Sequence, residues 1–456
     1  MTFNFSLLTP RLDHEPPSLA HGAVFRILIL LVLSPLSLAA QTVVPLADQF
    51  QINAYLPEAP QPVYVTYEDT GSFWAFWGQW GSAQTPHHFS TMARRFGPSG
   101  EPLGPEILVN AVPSEPQGLD IAAYPDALVG GSGAAVLAIW TADEPVGDDL
   151  YYSIQGRFLS AVGIGTPFQI NTFGDGIQSR ARAAALQDGT FIALWRGPEL
   201  WGRRIDGSGP AGAEFRINPN LFEDGDTTLL LGYDSADLRD GSYLVAWQEQ
   251  DVASGEISIY ARSYLYDGTP MLETRRLFRT HRIVSPLDQL PVHPITVTAL
   301  ASGGFFMAWT VNDSVNSDIF VQGFDAEWEP LADPVLVAED RLVGFHQPQQ
   351  AIARPDGSVW LLRTMHYTDF DVRLERRAAD GTLLEGPFDI HALSLDDQLH
   401  GAFAVFPSGR LAVAWTTFGD SPGNDTDASL QGRIFLPASI FADGFEDGTL
   451  AAWTVE

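Results

Sequence analysis

One order of signals returns seven times between residues 50 and 435, and this repetition limits the possible folds more than any other feature of the chain. Each copy is a β-rich run ending in Trp, a variable loop, a strand holding Gly-Arg or a relative of it, a Gly-rich turn, and a short Phe-x-Ile-Asn strand. The third copy is the cleanest. It runs from Ala183-Ala184-Ala185-Leu186 through the turn Asp188-Gly189 to Phe191-Ile192-Ala193-Leu194-Trp195, then Trp201-Gly202-Arg203, and ends on Phe215-Arg216-Ile217-Asn218. The Trp position is held by Trp77, Trp140, Trp195, Trp247, Trp309 and Trp415, with Arg363 in a divergent sixth copy that carries Trp360 instead. Successive copies lie 52 to 63 residues apart, and each offers four short strands bounded by Gly, Asp and Pro, with no helical pattern. Four-stranded sheets at this period predict an all-β, seven-bladed β-propeller. The Trp residues are then core wedges between blades, and the Asp-Gly pairs at 188, 240, 267, 356 and 380 are hairpin turns that need positive φ.

The seventh copy stops after Gly432-Arg433-Ile434-Phe435, without its Phe-x-Ile-Asn strand. The missing piece stands at the other end of the chain as Phe50-Gln51-Ile52-Asn53, identical to Phe168-Gln169-Ile170-Asn171. The N-terminal strand is therefore expected to complete the last blade and leave no open sheet edge.

Charge narrows the partners. The 456 residues carry 25 basic and 56 acidic side chains, a net charge of −31, and every basic residue is Arg. A field of that sign repels phosphate backbones and anionic lipid, which excludes nucleic acid and membrane surfaces as expected partners. Arg26, the apolar run Ile27 to Leu33, and the small residues Ser37, Ala39 and Ala40 form an export signal too short for a comfortable span. Residues 1–40 are read as leader and signal peptide, 41–436 as the propeller and 437–456 as a tail. With no Cys, stability must come from core size, not disulfides. The expected address is secreted, periplasmic or cell-surface, with no span in the mature chain.

The blade pattern over residues 50–435 resembles repeats of exported bacterial β-propeller proteins, of the kind found in large surface and hemolysin-type proteins. That resemblance implies architecture and export and carries no catalytic residue across. The segment Ile440-Phe441-Ala442-Asp443-Gly444-Phe445-Glu446 resembles a short tail ending many exported bacterial proteins, and reads as a docking tail or as a strand fragment packed on the ring.

Chemistry is expected on one face. The loops after the Trp positions and between blades gather most carboxylates and the histidines at 87, 88, 281, 293, 346, 366, 391 and 400. His87, His88, His346, His366, His391 and Asp396 are the candidate binding residues, since clustered imidazole and carboxylate can ligate a borderline cation or bind a glycan or protein. Asp224 with Asp226, and Asp425 with Asp427, place carboxylates at alternate positions as calcium loops do, but neither pair continues to a distal Glu. Calcium is the one cofactor suggested. No sialidase-type Ser-x-Asp-x-Gly-x-x-Trp box occurs, Asp356-Gly357-Ser358-Val359-Trp360 being a superficial echo, and there is no nucleophile elbow, phosphate loop or His-Glu-x-x-His. The expectation is a non-catalytic exported propeller that binds a surface protein, glycan or cation through its loop face. The alternatives are a propeller hydrolase or lyase acting on an extracellular substrate, or a structural module of a surface assembly.

Overall fold

The computed structural model describes residues 43–46, 48–54, 60–68, 71–80, 89–110, 123–130, 135–142, 152–172, 176–218, 228–251, 253–280, 295–312, 317–337, 347–366, 370–391, 397–418 and 428–437. They form seven antiparallel sheets. The inner strands of blades 1 to 7 are Pro60–Tyr67, Ala123–Gly130, Ser179–Ala185, Thr228–Asp237, Ile295–Ala299, Gln347–Ala353 and Gln398–Val405. The last blade is closed as expected: Val43–Pro45 and Phe50–Gln51 both pair with Ala428–Pro437, Phe50 opposite Gly432. Seven apolar clusters bury the sheet faces, one at each interface between neighbouring blades. One of them joins Val63, Phe73 and Trp77 of blade 1 to Ala402, Ala404 and Phe406 of blade 7. An open arc of seven blades has six interfaces, so the seventh cluster makes the ring continuous. No helix among the described residues is long and apolar enough to cross a membrane.

The recurrent letters each have a physical task. The Trp residues are buried wedges, all at 2% exposure or less. The Gly of Gly-Arg lies under the ring of its paired Phe: a Cβ at Gly156 or Gly432 meets Phe168 or Phe50 at 2.7 Å. The Arg reaches backward to the preceding blade. Arg94 donates to the carbonyl of Ile52 (3.3 Å), Arg157 to Val109 (2.7 Å), Arg203 to Ile170 (2.7 Å) and Arg433 to Ile390 (3.5 Å), while in blade 4 the Tyr264 hydroxyl donates to Ile217 (3.0 Å). The Asn accepts an amide within the first three residues of the third strand: Asn53 from Leu430, Asn110 from Thr91, Asn171 from Ile154 and Asn218 from Leu200, at 2.8–3.1 Å. Each Asp of the Asp-Gly turns accepts the amide two residues on, as Asp188 does from Thr190 at 3.0 Å, and the following Gly takes φ between 82° and 92°.

Blade 6 replaces the Trp wedge with charge. Arg363, Glu375 and Arg377 are all buried, with Glu375 bridging Arg363 at 3.2 Å and Arg377 at 2.6 Å. Two cations sharing one buried anion leave the site intolerant of losing that anion.

Two outcomes test this architecture. Glu375→Ala strands two buried guanidinium groups and is expected to destabilise by about 3–5 kcal/mol in chemical denaturation, whereas Asp389→Ala at an exposed ion pair changes little. Removing residues 43–54 bares an edge of blade 7 and is expected to yield aggregated protein on size-exclusion chromatography; a monodisperse product counts against the closure.

Candidate active site

Inner strands begin on the face that carries the long loops, so their first residues form the mouth of the central channel. There six of the seven carry a β-bulge: Pro60/Val63, Pro125/Ala127, Ser179/Arg182, Leu230/Gly232, Pro348/Gln350 and Leu399/Ala402. Blade 5 pairs without interruption. Bulges re-aim side chains, and a ring of them at one level gives this channel irregular walls.

Just below the bulges, each inner strand places one residue opposite the position preceding the Trp wedge. Around the ring these are Tyr64, Ala127, Arg182, Asp234, Thr296, Gln350 and Ala402. Three of them sew the wall together. Asp234 accepts the Val297 amide at 2.9 Å and the Thr296 hydroxyl at 3.1 Å, Thr296 accepts the Ala351 amide at 3.3 Å, and Gln350 accepts the Phe403 amide at 3.0 Å. Burial raises the pKa of Asp234 despite these donors and the nearby charge of Arg182. The channel holds a cavity of about 260 Å³ lined by inner strands of blades 1, 3, 4, 5, 6 and 7, among them Tyr64, Arg182, Asp234, Gln349 and His400.

His400 sits in the two-residue bulge of blade 7 with φ at +52°, and Arg180 occupies the same place in blade 3 with φ at +57°. A non-glycine residue in this left-handed region is strained, and such strain concentrates at functional positions. The other two described residues with this conformation, Arg239 and Trp328, lie in turns. His400 is half-buried, its Nδ1 is enclosed without a hydrogen-bond partner, and desolvation lowers its pKa from 6.5 to about 4. The imidazole is therefore neutral at pH 7 and able to accept a proton. The amide nitrogen of Gln349 is likewise enclosed and unpartnered.

The residues singled out from sequence fall differently. His87, His88, His346, Asp396, Asp224, Asp226, Asp425 and Asp427 lie outside the described residues. His366 ends its strand opposite Phe370. His391 stands at the Asn position of the Phe-x-Ile-Asn strand in blade 6, half-buried, with its Nε2 3.4 Å from Asp371, and is not among the residues lining the cavity. No group of three His, Asp or Glu side chains arranged to hold a metal occurs among the described residues. The channel histidine is His400, which the sequence reading had counted among the loop histidines. Gly401 beside it, a glycine inside a strand, was the available sign of a bulge.

No protein-family model and no curated protein matches the chain. Several solved structures resemble it. Polysaccharide lyase Uly1 is 9% identical with a TM-score of 0.48, over 84% of this chain and 90% of that one. The NanB sialidase of Streptococcus pneumoniae is 9% identical with a TM-score of 0.46, over 87% and 71%. A protein of unknown function from Dyadobacter fermentans is 13% identical with a TM-score of 0.46, over 69% and 94%. At this level each likeness speaks for the propeller fold alone. A trans-sialidase, a family-43 glycoside hydrolase and an endo-arabinase are also among the matches. Most of these matches are enzymes, against the expectation of a non-catalytic binder, while the likeness itself reaches no further than the fold.

The depressed basicity of His400 has a consequence for stability. The unfolded chain binds a proton at this residue near pH 6.5, whereas the folded chain binds it only near pH 4, so His400 costs stability progressively as pH falls across that window. Asp234, raised by burial, acts with the opposite sign. His400→Asn, which tolerates the backbone conformation, is expected to flatten the fall in melting temperature between pH 6.5 and 4; an unchanged slope contradicts the assignment.

Proposed function

We propose that the chain is an exported propeller enzyme, a hydrolase or lyase, acting on an extracellular polysaccharide at the loop-face mouth of its channel. The observation that carries this reading is His400: a neutral imidazole, held in a strained bulge, with an unpartnered nitrogen enclosed beside a cavity. Glycoside hydrolysis by two carboxylates needs a second acid. The cavity's described lining offers one carboxylate, Asp234, whose oxygens accept hydrogen bonds from Val297, Thr296 and Ser235. His400 is thus the better-placed base.

In hydrolysis the imidazole takes a proton from water while the water oxygen bonds to the anomeric carbon, and the glycosidic oxygen leaves with a proton from solvent. In elimination it takes the proton from the carbon beside a carboxylate. The electron pair forms a carbon–carbon double bond, and the glycosidic oxygen on the next carbon departs and is protonated by solvent. Arg182 and the Gln349 amide line the same cavity and are the donors nearest to hand for developing negative charge in either case. The leader of residues 1–40 supports export.

His400→Asn is expected to lower kcat/KM roughly 10²- to 10⁴-fold, measured as reducing ends or unsaturated product released from a panel of neutral and acidic polysaccharides. In the wild-type enzyme kcat/KM falls as pH drops through about 4, where the free imidazole becomes protonated. A folded variant with full activity, or a wild-type protein inert on the whole panel, overturns the reading.

A further inference from the structure

The arginines of this chain are mostly engaged. Those of the third strands clamp backbone carbonyls, and Arg204, Arg216, Arg275, Arg279, Arg373 and Arg376 pair with carboxylates. Arg180 and Arg196 are different. They lie next to one another at the loop-face end of blade 3, outside the cavity lining itself, Arg196 at the end of the second strand directly opposite Ser179 in the ladder and Arg180 next along the bulge. Neither takes part in an ion pair among the described residues. Arg196 is half-buried, and its pKa is lowered first by desolvation and then by the charge of Arg180, against an opposing influence of Tyr233, which places the two cations near one another with no carboxylate partner among the described residues.

The neighbours do not neutralise them. The Tyr233 hydroxyl donates to the Arg180 carbonyl, which anchors the backbone of the bulge to blade 4 without engaging the guanidinium. The cavity carboxylate, Asp234, is already occupied by Val297, Thr296 and Ser235, with Arg182 as its nearby cation. Arg180 is exposed and Arg196 half-buried; two adjacent guanidinium groups repel one another and are favourable around an anion, and the planar fork of Arg suits a carboxylate. Arg180 also shares its ring position with His400, so one bulge geometry, used in blades 3 and 7, sets a cation and a base on opposite arcs of the same mouth.

We infer that Arg180 and Arg196 form a subsite for the carboxylate of an acidic sugar, and that the polysaccharide entering this channel contains uronate units. The inference rests on the proposed function for the channel and names its substrate class. Binding and turnover separate the two.

Calorimetric titration of the wild-type chain with tetragalacturonate, with its carboxyl-reduced neutral counterpart, and with sodium sulfate tests the subsite directly. The uronate is expected to bind at least tenfold more tightly than the neutral sugar. Arg180→Gly, which removes the guanidinium while easing the backbone, and Arg196→Gln are each expected to weaken uronate binding roughly 10-fold, the loss of a charged hydrogen bond, and to leave affinity for the neutral sugar unchanged. Equal affinity for charged and neutral sugars, binding of sulfate without uronate, or folded arginine variants that bind as the wild type does, each overturns the subsite. His400→Asn serves as the discriminating arm. Retained uronate binding with lost turnover supports both readings; retained binding with full turnover removes the catalytic role of His400 and leaves the arginine subsite standing.

Discussion

The ring depends on a hydrogen bond between a third-strand side chain of one blade and the backbone carbonyl of the outer strand before it. Arg94, Arg157, Arg203 and Arg433 make it as guanidinium donors, and Tyr264 makes it as a hydroxyl. Apolar packing drives neighbouring blades together but fixes no angle between them. A directional donor fixes it, because the side chain reaches its carbonyl only when the two sheets stand in one relation. The same outer strand lays its Phe over a third-strand Gly and gives its Asn to the start of that strand. Intra-blade register and inter-blade geometry are thereby set by four residues. When the last of these strands is Phe50-Gln51-Ile52-Asn53, the chain's beginning fixes its end, and Asn53 reaches Leu430 across 377 positions.

This explains which parts of the protein were legible. Trp, Gly-Arg and Phe-x-Ile-Asn recur because most interfaces use the same contacts, so repetition disclosed the blade count, the turns and the closure. Where one blade solved its interface otherwise, the letters misled. Arg363 looks like a damaged Trp position, but its buried pairing with Glu375, itself bridged to Arg377, gives it a partner of its own. His391 looks like a loop histidine, yet it occupies the Asn place of blade 6 beside Asp371. The channel escaped for the opposite reason. Tyr64, Arg182, Asp234, Thr296, Gln350 and Ala402 are equivalent in position and share no chemistry, so no repeat search can align them. His400 and Arg180 escaped because a bulge breaks the two-residue alternation on which strand reading relies.

A closed ring is also the condition for strain at its mouth. A left-handed conformation at a non-glycine residue costs on the order of 1–3 kcal/mol, and an isolated hairpin relaxes by slipping its register. Here both flanks of each bulged strand are fixed. Ala402 to Val405 pair with Leu411 to Ala414 below His400, and Gln398 and Leu399 pair with Thr417 and Thr416 above it. Neighbouring blades press from the sides through their apolar clusters, and the Gln350 side chain holds the Phe403 amide from blade 6. The imidazole is therefore held in one place by the fold itself, and its desolvation is sustained by the surrounding packing.

The overall charge sharpens this arrangement. At −31 the molecule repels an anionic polymer at long range, and salt shortens that repulsion to about 8 Å at physiological ionic strength. Within that distance the local groups decide. Along the blade 3 side of the mouth, Arg180, Arg182 and Arg196 precede the first cavity carboxylate, Asp234, which burial biases toward its neutral form. On the proposed reading, an acidic sugar meets a long-range repulsion and, among the described residues on the blade 3 side of the mouth, a local group of cations. That contrast suppresses adsorption elsewhere on the surface and leaves productive contact to the place where His400 waits. On the same reading, a bound carboxylate is a negative charge in the channel and acts against the desolvation that lowers the basicity of His400.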